Sequence, residues 1–374
     1  MAEVSGHCDE RFEVVRDTLA SSLERGDDVG ASVAVLVDGE PVVDLWGGFA
    51  DEARTRPWVK DTITNVWSTT KTMTFVCMLT LADRGELDFG APVARYWPEF
   101  AAAGKGAVEV RHLLGHTAGL SGWTEPLAVE DLADWDRCTS MLAAQEPWWP
   151  PGTASGYHAV TQGYLVGEVV RRITGTSIGT WFAEEVAKPL GADFWIGLPA
   201  SEDGRVSPVI PPEGMTGEGM SEIGRRTFSN PPLDPAVPHQ AWWRRAEIPA
   251  ANGQGNARSV AAVQSVVAGA GEARGTRLFS AKTCERIFEE QANGTDLVLG
   301  VPMRFGMGYG LSGEMLPLGP RACFWGGFGG SLIVMDLETR VTVAYVMNRM
   351  EGNLVGDTRG AALVLAAAQG VMGG

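Results

Sequence analysis

Close to the N-terminus the chain reads ASVAVLVDGEPVVDLWGGFAD, two apolar, β-branched runs around Asp38-Gly39, and close to the C-terminus SLIVMDLETRVTVAYVMNR has the same character. An Asp-Gly step between two such runs is the signature of a β-hairpin. A hairpin alone leaves its edges unpaired, so two of them at opposite ends of one chain are expected to join in a single antiparallel sheet. The neighbouring segments supply its cover. DERFEVVRDTLASSLERG carries apolar residues at helical spacing and stops on Gly26, and TRGAALVLAAAQGVM is a long apolar helix. The expected fold class is therefore α/β in the α+β sense, an antiparallel sheet flanked by helices.

Between the two hairpins the pattern changes to helical patches separated by Pro- and Gly-rich loops such as EPWWPPGTASG and SPVIPPEGMTGEGM. This predicts a sheet-plus-helix lobe from residues 1–85 and 285–374, an inserted, mostly helical lobe from 86–284, and an active site at their interface. At 374 residues, 45% of them hydrophobic, the chain is long enough to bury cores in both. Its net charge of −16 argues against nucleic acid and anionic membrane surfaces as partners. The first residues, MAEVSGHCDERFEV, contain no apolar run for a signal peptide or a membrane span, so the expected location is the cytoplasm. Five scattered cysteines without a C-x-x-C spacing read as buried free thiols. His112 and His116 form the one H-x-x-x-H pair, but no acidic third ligand accompanies them, so neither metal nor cofactor is expected.

The chemistry concentrates after TITNV, a short strand pattern. Trp67 is followed by STTKTMTFVCMLTLADRGEL, a strongly apolar helix with Ser68 at its start. Residues three apart share a helix face, so the Lys71 amine lies within reach of the Ser68 hydroxyl. A lysine can take that proton only when its pKa falls, and burial in an apolar helix lowers it. The same helix end offers unpaired N–H groups to a developing oxyanion. A capping serine with a solvent-facing lysine has the same spacing. What favours catalysis is that Lys71 is the only charge between Asp61 and Asp83, and that Ser68 alone begins an S-x-x-K tetrad.

Further along come LLGHTAGLSG, PPGTASGYHAV and WGGFGGS, in that order. With S-T-T-K they make the chain resemble the serine β-lactamase and penicillin-binding protein superfamily, in the class C-like branch that includes the family VIII carboxylesterases. The resemblance spans roughly residues 10 to 370. It implies an acylated nucleophile at Ser68, Lys71 as its base, and Tyr157 as a proton shuttle whose phenol has a depressed pKa. It also implies an oxyanion hole from the backbone N–H groups of Ser68 and Phe328. Trp325-Gly326-Gly327 stands where β-lactamases have Lys-Thr-Gly, and Ala159 where class C enzymes have Asn. Both departures remove groups that hold a β-lactam, so they favour esters.

Other residues are weaker candidates. Trp123, Trp149 and Trp242, together with Trp325, Gly326, Gly327 and His158, are candidates for the substrate pocket, while His116 is assigned structural hydrogen bonding. G-T-S-I-G around Ser177 imitates a nucleophile elbow, but the preceding VTQGYLVGEVVRRITG reads as helix rather than strand, so Ser177 is expected to be an N-cap. The function this implies is hydrolysis of small carboxylic esters through a Ser68 acyl-enzyme. Alternatives are an acyltransferase with the same residues, a β-lactamase or D-amino peptidase, and a non-catalytic binding protein. The partner is a small-molecule ester, and no oligomeric state follows from the sequence.

Overall fold

The computed structural model describes residues 3–213 and 220–373; residues 214–219 of the Pro- and Gly-rich SPVIPPEGMTGEGM loop lie outside them. In chain order the strands are β1 (Val4–Cys8), β2 (Gly30–Val37), β3 (Glu40–Gly48), β4 (Thr64–Asn65), β5 (Gln254–Gly255), β6 (Glu272–Ala273), β7 (Thr276–Arg277), β8 (Ala292–Thr295), β9 (Pro302–Phe305), β10 (Gly310–Leu311), β11 (Ala322–Gly326), β12 (Leu332–Asp336) and β13 (Val341–Met347). The α-helices are α1 (Glu13–Arg25), α2 (Thr70–Asp83), α3 (Val110–Leu114), α4 (Trp135–Ala144), α5 (Thr161–Thr174), α6 (Ile178–Phe182), α7 (Glu222–Ser229), α8 (Ala241–Arg245), α9 (Ala257–Ala268), α10 (Ala281–Glu285) and α11 (Thr358–Met372).

Among the described residues, one antiparallel sheet runs in the order β1-β3-β2-β13-β12-β11-β10-β9-β8. The two terminal hairpins meet along β2 and β13, with Val33 opposite Tyr345. At the first hairpin Asp38 and Gly39 both take positive φ, 53° and 79°, the conformation of a type I′ turn. Alternation along β2 then assigns the two faces. Val33 and its partner Tyr345 point toward α11, whose Gly360 lies close to the Tyr345 ring. Ser32 points the other way and accepts a hydrogen bond from the Ala257 N–H at the start of α9 (3.1 Å). With both faces covered, β2 is buried along nearly its whole length.

Helix α9 packs across β2, β12 and β13. It falls inside residues 86–284, the segment expected to form a separate helical lobe, yet it covers the central sheet. Its sequence, ARSVAAVQSVVA, is apolar on nearly all sides because the sheet takes one side and α2 another. Cys77, Cys138, Cys284 and Cys323 are buried free thiols, and Cys8 is partly buried. Among the described residues no helix is long and apolar enough to cross a membrane.

A buried ion cluster ties α11 to the sheet and to the loop after it. Asp28 accepts from the Ser22 hydroxyl (2.6 Å), the Tyr345 phenol (2.7 Å) and Arg359 Nη1 (3.0 Å). The same guanidinium donates to Asp357 and to the Gly329 carbonyl (2.8 Å). Burial pushes the Asp28 carboxyl up, and the Arg359 cation opposes that shift. Removing the cation would strand two carboxylate side chains, each only 1% exposed. Arg359→Ala is expected to cost about 3–5 kcal/mol in urea denaturation, whereas a loss below about 1 kcal/mol would mean that solvent screens the cluster.

Candidate active site

The site begins where β4 ends. Asn65 is locked in place, its amide donating to the Ala251 carbonyl (3.0 Å) and its oxygen accepting from Trp243 Nε1 (3.0 Å) and Gln254 Nε2 (2.9 Å). Two residues on, Trp67 sits at φ 47°, a left-handed conformation that is uncommon for a bulky side chain. Packing holds it there. Its indole lies between Trp243 and the edge of Phe328, at centroid distances of 5.8 and 5.3 Å. The bend places Ser68 on a single 3-10 turn, Trp67–Thr69, that leads directly into α2.

From Thr70 to Leu81 every residue of α2 is buried, Lys71 included. Among the described residues no carboxylate pairs with it. Its Nζ lies 2.7 Å from the Ala159 carbonyl, 3.0 Å from the Ala250 carbonyl and 3.1 Å from Ser68 Oγ. Burial holds the amine well below the ordinary lysine range. A neutral amine has two N–H donors for those two carbonyls, and its lone pair is then left for the Ser68 hydroxyl proton.

Tyr157 approaches from a loop before α5, its backbone N–H donating to buried Asp296 Oδ1 (3.0 Å). Lys71 Nζ lies over the face of its ring, 4.7 Å from the centroid, and not at its hydroxyl. The hydroxyl is beside Ser68 and the Trp325 indole, but makes a well-formed hydrogen bond with neither. Burial pushes the phenol up, and those two neighbours only partly oppose it. This corrects the depressed phenol pKa implied by the resemblance. Burial lowers the Lys71 amine as well, which weakens the one cationic neighbour that could stabilise a phenolate.

The two backbone N–H groups expected to receive the oxyanion come from opposite ends of the chain. Neither the Ser68 nor the Phe328 N–H donates to any group among the described residues. Phe328 sits in the β11–β12 turn, which is strapped to the nucleophile turn by Ser331. The Ser331 hydroxyl donates to the Val66 carbonyl (2.9 Å) and lies 2.9 Å from the Thr69 hydroxyl. A side chain on Gly327 would meet that same Val66 carbonyl at 2.2 Å, so only glycine allows the approach.

A cavity of about 270 Å3 opens over Ser68. Of the expected residues, Ser68, Tyr157, Ala159 and Phe328 border it. The candidate pocket residues Trp325, Gly326, Gly327, His158, Trp123, Trp149 and Trp242 do not. Trp325 is buried behind the Tyr157 ring, 5.3 Å between centroids, and backs the tyrosine instead of meeting substrate. His158 is consumed by backbone: its Nδ1 bonds the Gly156 carbonyl (2.6 Å), its Nε2 accepts from the Leu120 N–H (3.1 Å), and burial lowers it to about 3. The indoles of Trp123 and Trp149 donate to the Cys138 and Ala154 carbonyls, and Trp242 packs on Trp243. His116 Nδ1 accepts from the His158 N–H (3.0 Å), a structural role. Ser177 caps α6 and donates to Glu247 (2.6 Å).

The walls that sequence reasoning missed are Met220, Phe228, Leu233 and Leu354. The only local hint was the turn-rich run SNPPLDP around two of them, which marks a loop but not what it covers. Among the described lining residues none carries a charge.

The family model described as Beta-lactamase matches residues 15–368. The chain belongs to this family. It is 36% identical over 368 residues to Esterase/beta-lactamase LipL of Mycobacterium tuberculosis, covering 94% of this chain and 84% of that one. A crystal structure of a family VIII carboxylesterase superimposes with a TM-score of 0.94 at 46% identity, covering 98% of this chain and all (100%) of that one. A penicillin-binding protein homologue from Caulobacter crescentus gives the same TM-score of 0.94 at 38% identity, with the same coverage of 98% and 100%. The chain is a serine hydrolase with the β-lactamase and penicillin-binding protein fold.

The protonation states make a pH prediction. Protonating Lys71 removes the lone pair that faces Ser68, so activity should be lost as pH falls through the lowered amine value. The kcat/KM for an ester is expected to reach its plateau well below the ordinary lysine value of about 10.4, with no decline near the ordinary tyrosine value of about 10. A profile that keeps climbing to the ordinary lysine value would contradict a neutral Lys71.

Proposed function

We propose that this protein is a carboxylesterase that cleaves small, neutral carboxylic esters through a Ser68 acyl-enzyme. The observation that carries the reading is the buried Lys71 amine, unpaired with any carboxylate among the described residues and 3.1 Å from Ser68 Oγ, beneath a mainly apolar cavity whose described walls carry no charge. Lys71 takes the Ser68 proton as Oγ attacks the ester carbonyl. The carbonyl oxygen gathers charge between the N–H groups of Ser68 and Phe328. Tyr157, whose hydroxyl lies beside Ser68, gives its proton to the departing alkoxide and is reprotonated through solvent while the Lys71 ammonium releases its proton the same way, which leaves both groups as they began. Water then attacks the acyl-enzyme, its proton passes to the same pair, and Ser68 Oγ takes a proton back as the acid leaves.

Substrate class follows from what the cavity lacks. A β-lactam brings a carboxylate, and burying that anion against uncharged walls would be costly. An ester brings no charge. The name of one neighbour supports the same choice, since a family VIII carboxylesterase is similar to this chain over 98% of its length.

The test compares p-nitrophenyl butyrate with nitrocefin, and maps a phosphonate label by intact mass. Wild type is expected to prefer the ester and to take one label at Ser68. Ser68→Ala should lose the label and at least about 10³-fold in kcat, and Tyr157→Phe about 10²–10⁴-fold. Retention of most ester turnover by Ser68→Ala would refute the assignment.

A further inference from the structure

A second hollow, of about 450 Å3, lies next to the catalytic cavity. Leu299, Val301, Met315 and Leu316 form its outer side, Phe324 and Leu332 its floor, and the segment from Gly352 to Gly356 its inner rim. Val301 and Met315 are 41% and 39% exposed, large apolar side chains left facing solvent in one groove. Among the described residues Leu354 alone borders both hollows.

The position of Leu354 is not accidental to the site. Its segment is fastened to the turn that carries Phe328: the Glu351 N–H donates to the Gly329 carbonyl (3.0 Å), the Gly329 N–H to the Asn353 carbonyl (2.9 Å), and the Gly356 N–H to the Gly327 carbonyl (3.4 Å). The half-buried leucine is thus held at the boundary between the reacting centre and the groove. The catalytic cavity, about 270 Å3, is below the ~300–1,000 Å3 typical of sites that enclose a drug-sized ligand. A longer ester has to leave it somewhere. Past Leu354 the walls are aliphatic and aromatic, and the acidic side chain there, Asp357, is already held by Arg359.

From this adjacency we infer that the two hollows form one substrate path, in which the alkyl chain of a longer ester passes Leu354 and lies in the groove, so that Leu354 sets chain-length preference. The inference rests on the esterase reading and names the substrates of that same site as medium-chain alkyl esters. An alkyl chain is the occupant because the groove offers apolar burial, worth up to about fourfold in kcat/KM per methylene, and no free charge to recognise a peptide or an anion.

The test is a chain-length profile in two series, p-nitrophenyl acetate to decanoate and methyl to octyl acetate, for wild type, Leu354→Trp and Val301→Glu. Wild type is expected to gain in kcat/KM with length beyond four carbons in one of the series. A gain in the first places the acyl chain in the groove, and a gain in the second places the alcohol there. Leu354→Trp should remove the gain, and Val301→Glu should lower the ratio of long-chain to acetate kcat/KM by about tenfold. Turnover of short esters with a flat profile in both series, or an unchanged ratio in Val301→Glu, would overturn this inference alone. Absence of any ester turnover in wild type would overturn the esterase reading as well.

Discussion

Between Val66 and Gly327 there is no room for a side chain, and the catalytic arrangement is organised around that contact. It brings a turn from the first quarter of the chain against a turn from the last. Ser331 fastens the two through the Val66 carbonyl and the Thr69 hydroxyl, and Phe328 packs its ring on Trp67. That packing offsets the cost of Trp67's left-handed backbone, which in turn sets the direction from which Ser68 faces the cavity. Both turns, each with an N–H that donates to nothing among the described residues, are held in place by these contacts. The ion cluster around Arg359 extends the same support outward, since its guanidinium holds the Gly329 carbonyl one residue beyond Phe328.

Burial does the electrostatic work that a charge partner would do elsewhere. Lys71 sits in a helix with no polar exit, so its neutral form is favoured and its lone pair is available to Ser68. The same dryness holds the proton on Tyr157. One environment therefore moves the two groups in opposite directions, lowering the amine and raising the phenol. Trp325 belongs to this division of labour. Its indole packs tilted against the Tyr157 ring, 5.3 Å between centroids, while supplying no cation to attract an anionic substrate.

Much of this was legible before any coordinates. Gly26 ends α1 in a left-handed cap, Asp38-Gly39 makes its hairpin turn, and the two hairpins share the central sheet, each for a reason local to a few residues. Ser68 and Lys71 meet because three residues of helical spacing bring them together. The pocket was not legible in this way. Trp325, His158, Trp123, Trp149 and Trp242 were assigned to it from their place in motifs or their abundance, and all of them instead pack or hydrogen-bond behind its walls. Position in a motif tells where a residue falls along the chain, but not which face of the loop meets solvent. Helix α9 shows the same limit, because a helix apolar on nearly all sides does not declare which neighbours it separates.

The sequence by itself determined most of the elements and the meeting of Ser68 with Lys71, because turn chemistry, hydrophobic period and helical spacing are short-range rules that need no partner. Tertiary structure decided the rest. Burial of α2 lowers the Lys71 amine, Ser331 and Gly327 permit the close approach of the Phe328 turn to the Ser68 turn, and Met220, Phe228, Leu233 and Leu354 border one cavity though they come from separate segments. Desolvation and cavity shape are properties of many residues at once, and no local pattern of side chains encodes them.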